Sequence, residues 1–189
     1  MSVIRNNSSD LRVQKTIKTV KQALLTLIMK KPYKKIRVDE ITKEAMINRQ
    51  TFYSHFASID NVLEAIGEDM LSDLKEGLEN LQSAGIPGGV MLFYYYINTN
   101  NPVRQKLFFD EEFEPFAVDF TTSYFSLDYF SGLCEREDYK EILPSFIANA
   151  ALGIIRRWKK KPIDNRVSLD RLADGTAKLL MTGLNGLNQ

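Results

Sequence analysis

The stretch from Lys34 to Phe56, KKIRVDEITKEAMINRQTFYSHF, leaves the chain few ways to fold. Val38, Ile41 and Ala45 recur at i, i+3 and i+7, one apolar stripe of a short helix. Met46, Ile47 and Asn48 break that period. Asn48 suits the N-cap of a second helix, because its side-chain oxygen can accept a bond from a free backbone N–H. Phe52 and Phe56 are four apart and share a face of that second helix. The segment therefore reads as helix, tight turn and helix, preceded by a basic run.

Helix geometry then says which side chains look outward. At about 100° per residue, Phe52 and Phe56 define the buried side. Gln50 and Ser54 project opposite them with Thr51 nearby, and Tyr53 and His55 sit on the flanks. Amides and hydroxyls can bond base edges, while flanking hydroxyls and an imidazole can reach phosphate oxygens. The pattern is that of a helix-turn-helix, whose second helix lies in the DNA major groove.

The segments DEITKEA and INRQTFYSHF resemble the second and third helices of the TetR/AcrR family of bacterial transcriptional regulators. The family pattern is an alanine-glycine-valine turn, a polar residue, then Thr-(Phe/Leu)-Tyr-x-His-Phe. Ala45, Ile47, Asn48, Thr51, Phe52, Tyr53, His55 and Phe56 fit it. The sequence ALGIIRRW at 151–158, taken with INRQTFY, is similar to a narrower, dihydroxyacetone-kinase-activator-like branch. Two departures stand out. Met46 replaces the turn glycine, so the turn either avoids positive φ or carries strain. Ile59 stands where many members have a phosphate-contacting lysine.

The resemblance implies an all-α protein of about nine helices. A helix-turn-helix head over residues 10–70 would be joined by a long helix to a dimerisation and effector body over 71–189. DNA contacts would fall on Lys34, Lys35, Arg37, Asn48, Arg49, Gln50, Thr51, Tyr53, Ser54 and His55, with Arg5 as an extra contact from a loose arm over residues 1–10. The lysines would position the head on phosphates, carrying charge and little sequence information.

Charge supports a phosphate-binding head. The net +1 of the 189-residue chain hides an asymmetry. Residues 1–60 hold twelve Lys/Arg against five Asp/Glu, and residues 61–189 hold thirteen against nineteen. A solvated charged surface would explain any one run of charge, but here the excess coincides with the helix-turn-helix. Hydrophobic content of 44% and charged content of 26% suit a soluble globular protein. No run is apolar enough to span a membrane, and MSVIRNNSSD has no signal-peptide core. The single cysteine, Cys134, cannot form an intrachain disulfide, which fits a cytoplasmic location.

Along the chain, the first helix is expected from Leu11 or Arg12 to Lys30, with Pro32 ending it. Tyr33 and Ile36 would pack beneath the head. A linking helix should run from about Asp60 to Leu81, and the glycine-rich Gly85–Gly89 reads as a loop. The next segment holds thirteen of the chain's twenty aromatics between Phe93 and Phe130. Most such rings are core, but Phe93, Tyr96, Phe109, Phe116, Phe120 and Tyr124 are candidates for a pocket taking a small-molecule effector. Pro102, Pro115 and Pro144 suit helix starts, and Ser168 suits an N-cap. Stripes including Ile147, Ala151, Ile154, Ile155 and Trp158, then Leu172, Leu179 and Leu180, look like the family's four-helix dimer interface. The alternative is that both stripes are consumed inside one protomer.

The leading reading is a homodimeric regulator, a repressor, that binds a palindromic double-stranded DNA operator and responds to a small molecule. A regulator-like adaptor or activator working through a protein partner is the alternative. An enzyme fits poorly: His55 is the single histidine, and no phosphate-cradling glycine loop, nucleophile elbow or metal-spaced cluster appears. The acids Asp110, Glu111, Glu112 and Glu114 read as a solvated loop. No cofactor or metal is expected.

Overall fold

The computed structural model describes residues 6–81, 84–133 and 137–187, so Arg5 and Cys134 lie outside the described residues. The described residues are helical, with no strand among them. The chain divides into two compact units, Met1–Glu68 and Asp69–Gln189, the division falling within one helix.

The first unit contains α1 (Asn6–Lys30), a 3-10 turn at Tyr33–Lys35, α2 (Val38–Glu44), α3 (Arg49–Tyr53) and the start of α4 (Ile59–Glu79). The apolar stripe of α1 supplies Val20, Leu24, Leu27 and Ile28 to its core. Ile36, Ile41, Ala45, Phe52, Phe56, Val62 and Ile66 complete that core. Helix α1 begins at Asn6, five residues before the expected start. The sequence NNSSD has no apolar residue to extend the stripe, so periodicity alone placed the boundary too late.

The second unit continues α4 and adds α5 (Gly85–Ile97), α6 (Pro102–Phe109), α7 (Glu114–Phe125), α8 (Glu137–Lys140), α9 (Leu143–Lys159) and α10 (Leu169–Leu187). Helix α7 packs on α9, and α5 on α10. Prolines sit in the first turns of α6, α7 and α9, where the missing N–H is harmless. Asn101 caps α6, its Oδ1 accepting from the amides of Val103 and Arg104 at 3.0 and 3.2 Å. Pro162 follows α9, and the Arg166 guanidinium donates to the carbonyls of Lys159 and Lys161 at 2.6 and 2.8 Å. The Tyr94 hydroxyl joins three helices: it lies 3.0 Å from the Ala151 carbonyl and 3.1 Å from Thr176 Oγ1. Burial pushes that phenol up to about 12. No described helix is long and apolar enough to cross a membrane.

One expected loop is a helix. Gly85–Gly89 opens α5, with Gly85 at φ +54° as its first residue. Gly89 is buried, and its carbonyl accepts from the Tyr124 hydroxyl at 2.8 Å. A Cβ at Gly89 would stand 2.6 Å from Phe130 Cζ and 2.7 Å from Cε1. The glycines therefore let rings approach a helix closely, a use that turn statistics do not register. Gly89→Ala should lower stability by about 1–3 kcal/mol through overpacking, despite alanine's roughly 1 kcal/mol advantage in helices; urea denaturation of the two proteins measures the difference.

Candidate nucleic-acid interface

A five-residue helix has too few internal hydrogen bonds to persist alone, so α3 depends on its surroundings. Its first turn is held by Asn48, whose Oδ1 accepts from the Thr51 amide at 2.7 Å. Its apolar side is held by Phe52, which is fully buried, with the Phe56 ring 6.0 Å away. Beyond Tyr53 the chain tightens into a turn, closed by bonds from the amides of His55 and Phe56 to the Phe52 carbonyl, both 3.0 Å. With the rings turned in, the opposite side of α3 must face out.

All ten residues expected at a DNA surface lie on the outside of the first unit. Lys34, Lys35, Arg37, Asn48, Arg49, Gln50, Tyr53 and Ser54 are exposed, and Thr51 and His55 are half-buried. Their chemistry is not uniform. Capping uses the acceptor of Asn48 and leaves its amide hydrogens outward. The Ser54 hydroxyl donates to the Thr51 carbonyl at 2.8 Å, so it presents acceptor lone pairs. Tyr53 is 53% exposed, with its ring edge-on to Phe52. Arg49 Nε donates to Asp39 Oδ1 at 2.9 Å, a partnership that motif reading did not single out.

The basic run is anchored from below. Lys31 Nζ donates to the Lys35 carbonyl at 2.9 Å and also to Glu40 Oε2. Glu40 accepts in addition from the Arg37 amide at 3.0 Å. The Lys31 hydrogen bond, then the Arg37 amide, hold the Glu40 carboxyl below its usual range. The Tyr33 hydroxyl donates to Asp60 Oδ1 at 2.5 Å, fixing the 3-10 turn to the start of α4, and burial raises that phenol strongly. Lys34, Lys35 and Arg37 are thus carried on a braced segment.

In the second unit the expected pocket residues separate. Phe93 and Tyr124 are fully buried and stacked with ring centroids 5.2 Å apart. Phe120 is also buried, edge-on to Phe108 at 5.1 Å. These three are core, because their faces are covered by other rings. Phe109, Phe116 and Tyr96 are half-buried. Lys159 Nζ lies 3.9 Å from the Phe109 ring centre, and the Arg104 guanidinium lies 3.8 Å from that of Tyr96. The Tyr96 hydroxyl is buried without a hydrogen-bond partner, and desolvation raises it to about 12.

The expected interface stripes separate in the same way. Ile147, Ala151, Ile155 and Leu180 are buried within the protomer. Ile154, Trp158 and Leu172 are half-buried, and Leu179 is 69% exposed. The outward apolar residues of α9 are displaced around the helix and include Phe146, 63% exposed, with Ile142 just before it, also 63%. The sequence contained two apolar stripes on these helices, and the longer one faces inward.

Comparison with known proteins agrees with this geometry. Residues 22–66 match the family described as bacterial regulatory proteins, tetR family. The HTH-type dhaKLM operon transcriptional activator DhaS of Lactococcus lactis subsp. lactis (strain IL1403) is 31% identical over 104 residues, covering 54% of this chain and 54% of DhaS. The chain thus matches about half the length of that curated relative. A TetR transcriptional regulator from Streptococcus agalactiae 2603V has a similar solved structure, with a TM-score of 0.69 at 20% identity over 92% of this chain and 97% of that one. A solved structure of the dihydroxyacetone kinase operon activator DhaS gives 0.55 at 24% identity, over 92% and 98%. At these identities the two structures speak for the fold.

Met46 resolves the question posed by the missing turn glycine. It sits at φ +54°, the positive-φ region, and is 93% exposed. A side chain there costs roughly 1–2 kcal/mol, and nothing packs on this one to offset it. Met46→Gly should raise stability by about 1 kcal/mol after allowing for the added freedom of the unfolded chain. Chemical denaturation of the full chain, with DNA absent, provides the measurement.

Proposed function

We propose that this chain, a TetR-family transcriptional regulator similar to DhaS, works as a homodimer that reads a palindromic operator with the outward ridge of α3. The observation that carries the reading is the arrangement around Phe52. Burial of that ring turns Gln50, Ser54 and Thr51 outward, and the exposed cations Lys34, Lys35 and Arg37 lie on the same basic unit. Amide and hydroxyl groups would read base edges while the cations hold phosphates.

Dimerisation would use a surface rotated around α9 and α10 from the buried stripes. On α9, Phe146 and Gly153 fall at i and i+7; on α10, Leu172, Gly175, Leu179 and Gly183 recur every three or four residues. A Cβ on Gly153, Gly175 or Gly183 would meet nothing within 4 Å. Glycine in an exposed helix is about 1 kcal/mol worse than alanine, so three of them beside exposed Phe146 and Leu179 support a close helix–helix contact with a second copy. An effector with a polar group could use the unpartnered Tyr96 hydroxyl, since a buried donor without an acceptor is unfavourable. The sign of regulation has two readings. Repression is the expectation from the sequence; activation is favoured by the similarity to DhaS, a transcriptional activator.

Selection of duplexes from a random pool tests the central claim, and one enriched palindrome is the expected result. On the selected site, Gln50→Ala should relax the preference at one base of each half-site by about 1–3 kcal/mol. Lys35→Ala should instead weaken all sequences alike and reduce the salt slope by about 1. Absence of any duplex preference at low salt would remove the proposal.

Leu179→Glu places a charge on the exposed α10 stripe without touching the core. Light scattering after size exclusion should show a monomer where the parent is a dimer, and operator affinity should fall with it. A variant that remains dimeric rules out this surface.

A further inference from the structure

We propose that Asp39 is a positioning residue for sequence readout: it fixes the Arg49 guanidinium so that its outer edge reads a guanine. The inference rests on the DNA-binding reading above. Arg49 is the first residue of α3, and Asp39 lies in the first turn of α2. The bond from Arg49 Nε to Asp39 Oδ1, 2.9 Å, therefore ties the reading helix to the helix before it. A guanidinium is a rigid planar fork with five N–H donors. Holding it by Nε sets the plane and leaves the four Nη hydrogens. Two parallel donors on a fixed plane match the O6 and N7 acceptors that guanine presents in the major groove.

The other carboxylates between residues 11 and 60 are used differently. Glu40 serves Lys31 and the Arg37 amide, Glu44 lies 3.7 Å from Lys30, and Asp60 accepts from Tyr33. Among these described residues, Asp39 is the carboxylate that engages α3. Both partners are about 60% exposed, at 62% for Arg49 and 61% for Asp39. An ion pair that open adds little stability, and an acid on a phosphate-facing surface opposes attraction to DNA. Neither consideration accounts for Asp39, whereas orientation of Arg49 does. Asp39 also favours the start of α2 through the helix dipole. That contribution would alter binding to every sequence equally, which makes it separable by experiment.

The test takes the duplex selected by the parent protein and measures binding to it and to each single-base variant at fixed salt. The parent, Arg49→Ala, Arg49→Lys, Asp39→Ala and Asp39→Asn are compared, with melting curves confirming that each is folded. In the parent, one guanine per half-site should depend on Arg49. Arg49→Ala and Arg49→Lys should both lose that preference, and the lysine variant should keep the salt slope because the charge remains. Asp39→Ala should lose about tenfold in discrimination at the same guanine, yet bind random duplex as tightly as the parent or tighter. Asp39→Asn should retain part of the preference, because its amide oxygen still accepts from Nε. The inference is overturned if Asp39→Ala shifts all sequences by one factor with the guanine preference intact, or if the Arg49-dependent base is not guanine. A parent protein with no duplex preference overturns the DNA-binding reading itself, before any variant is compared.

Discussion

Burial of Phe52 is the constraint from which the rest of the first unit follows. A five-residue helix has no stability of its own, and its orientation is that of the ring that anchors it. With Phe52 at zero exposure and Phe56 beside it, residues 50 and 54 have no direction left but outward. The Asn48 cap fixes where the helix begins, and so fixes which residues occupy its first turn. The polar ridge results from apolar packing on the opposite side of α3.

The basic segment before α2 follows the same economy. Lys31 and Glu40 meet beneath it, and their remaining bonds go to backbone groups of Lys35 and Arg37. Glu40 and Glu44 are matched to Lys31 and Lys30, not to the exposed Lys34, Lys35 and Arg37 side chains.

What was legible in the sequence were features enforced by local periodicity and capping. The stripe Val38, Ile41, Ala45, the Asn48 cap and the paired phenylalanines need only neighbours within one or two turns. The α4 stripe, Val62, Leu63, Ile66, Met70, Leu74 and Leu78, is likewise buried at every position. Features set by distant contacts were not legible. Gly89 looked like punctuation because the ring that requires it, Phe130, arrives from forty-one residues later. Ile147, Ala151, Ile155 and Leu180 looked like an interface because a stripe does not disclose its partner. Phe93, Phe120 and Tyr124 could have lined a cavity until the rings that cover them were placed. The Arg49–Asp39 pair spans two elements and has no spacing signature.

The second unit shows how a helical body can be specified inside and still carry an unpartnered face outside. Tyr94 reaches Ala151 and Thr176, so α5, α9 and α10 share one hydroxyl and their rotations are fixed together. A buried hydroxyl left without partners is unfavourable, which penalises any rotation that separates these helices. Once the inner stripes are fixed in this way, the outer faces of α9 and α10 are determined as well. Phe146, Gly153, Gly175, Leu179 and Gly183 are held outward by residues they do not touch. The same logic operates in both units: apolar packing on one side of a helix decides what its other side presents, a polar ridge on α3 and a face of glycines, Phe146 and Leu179 on α9 and α10.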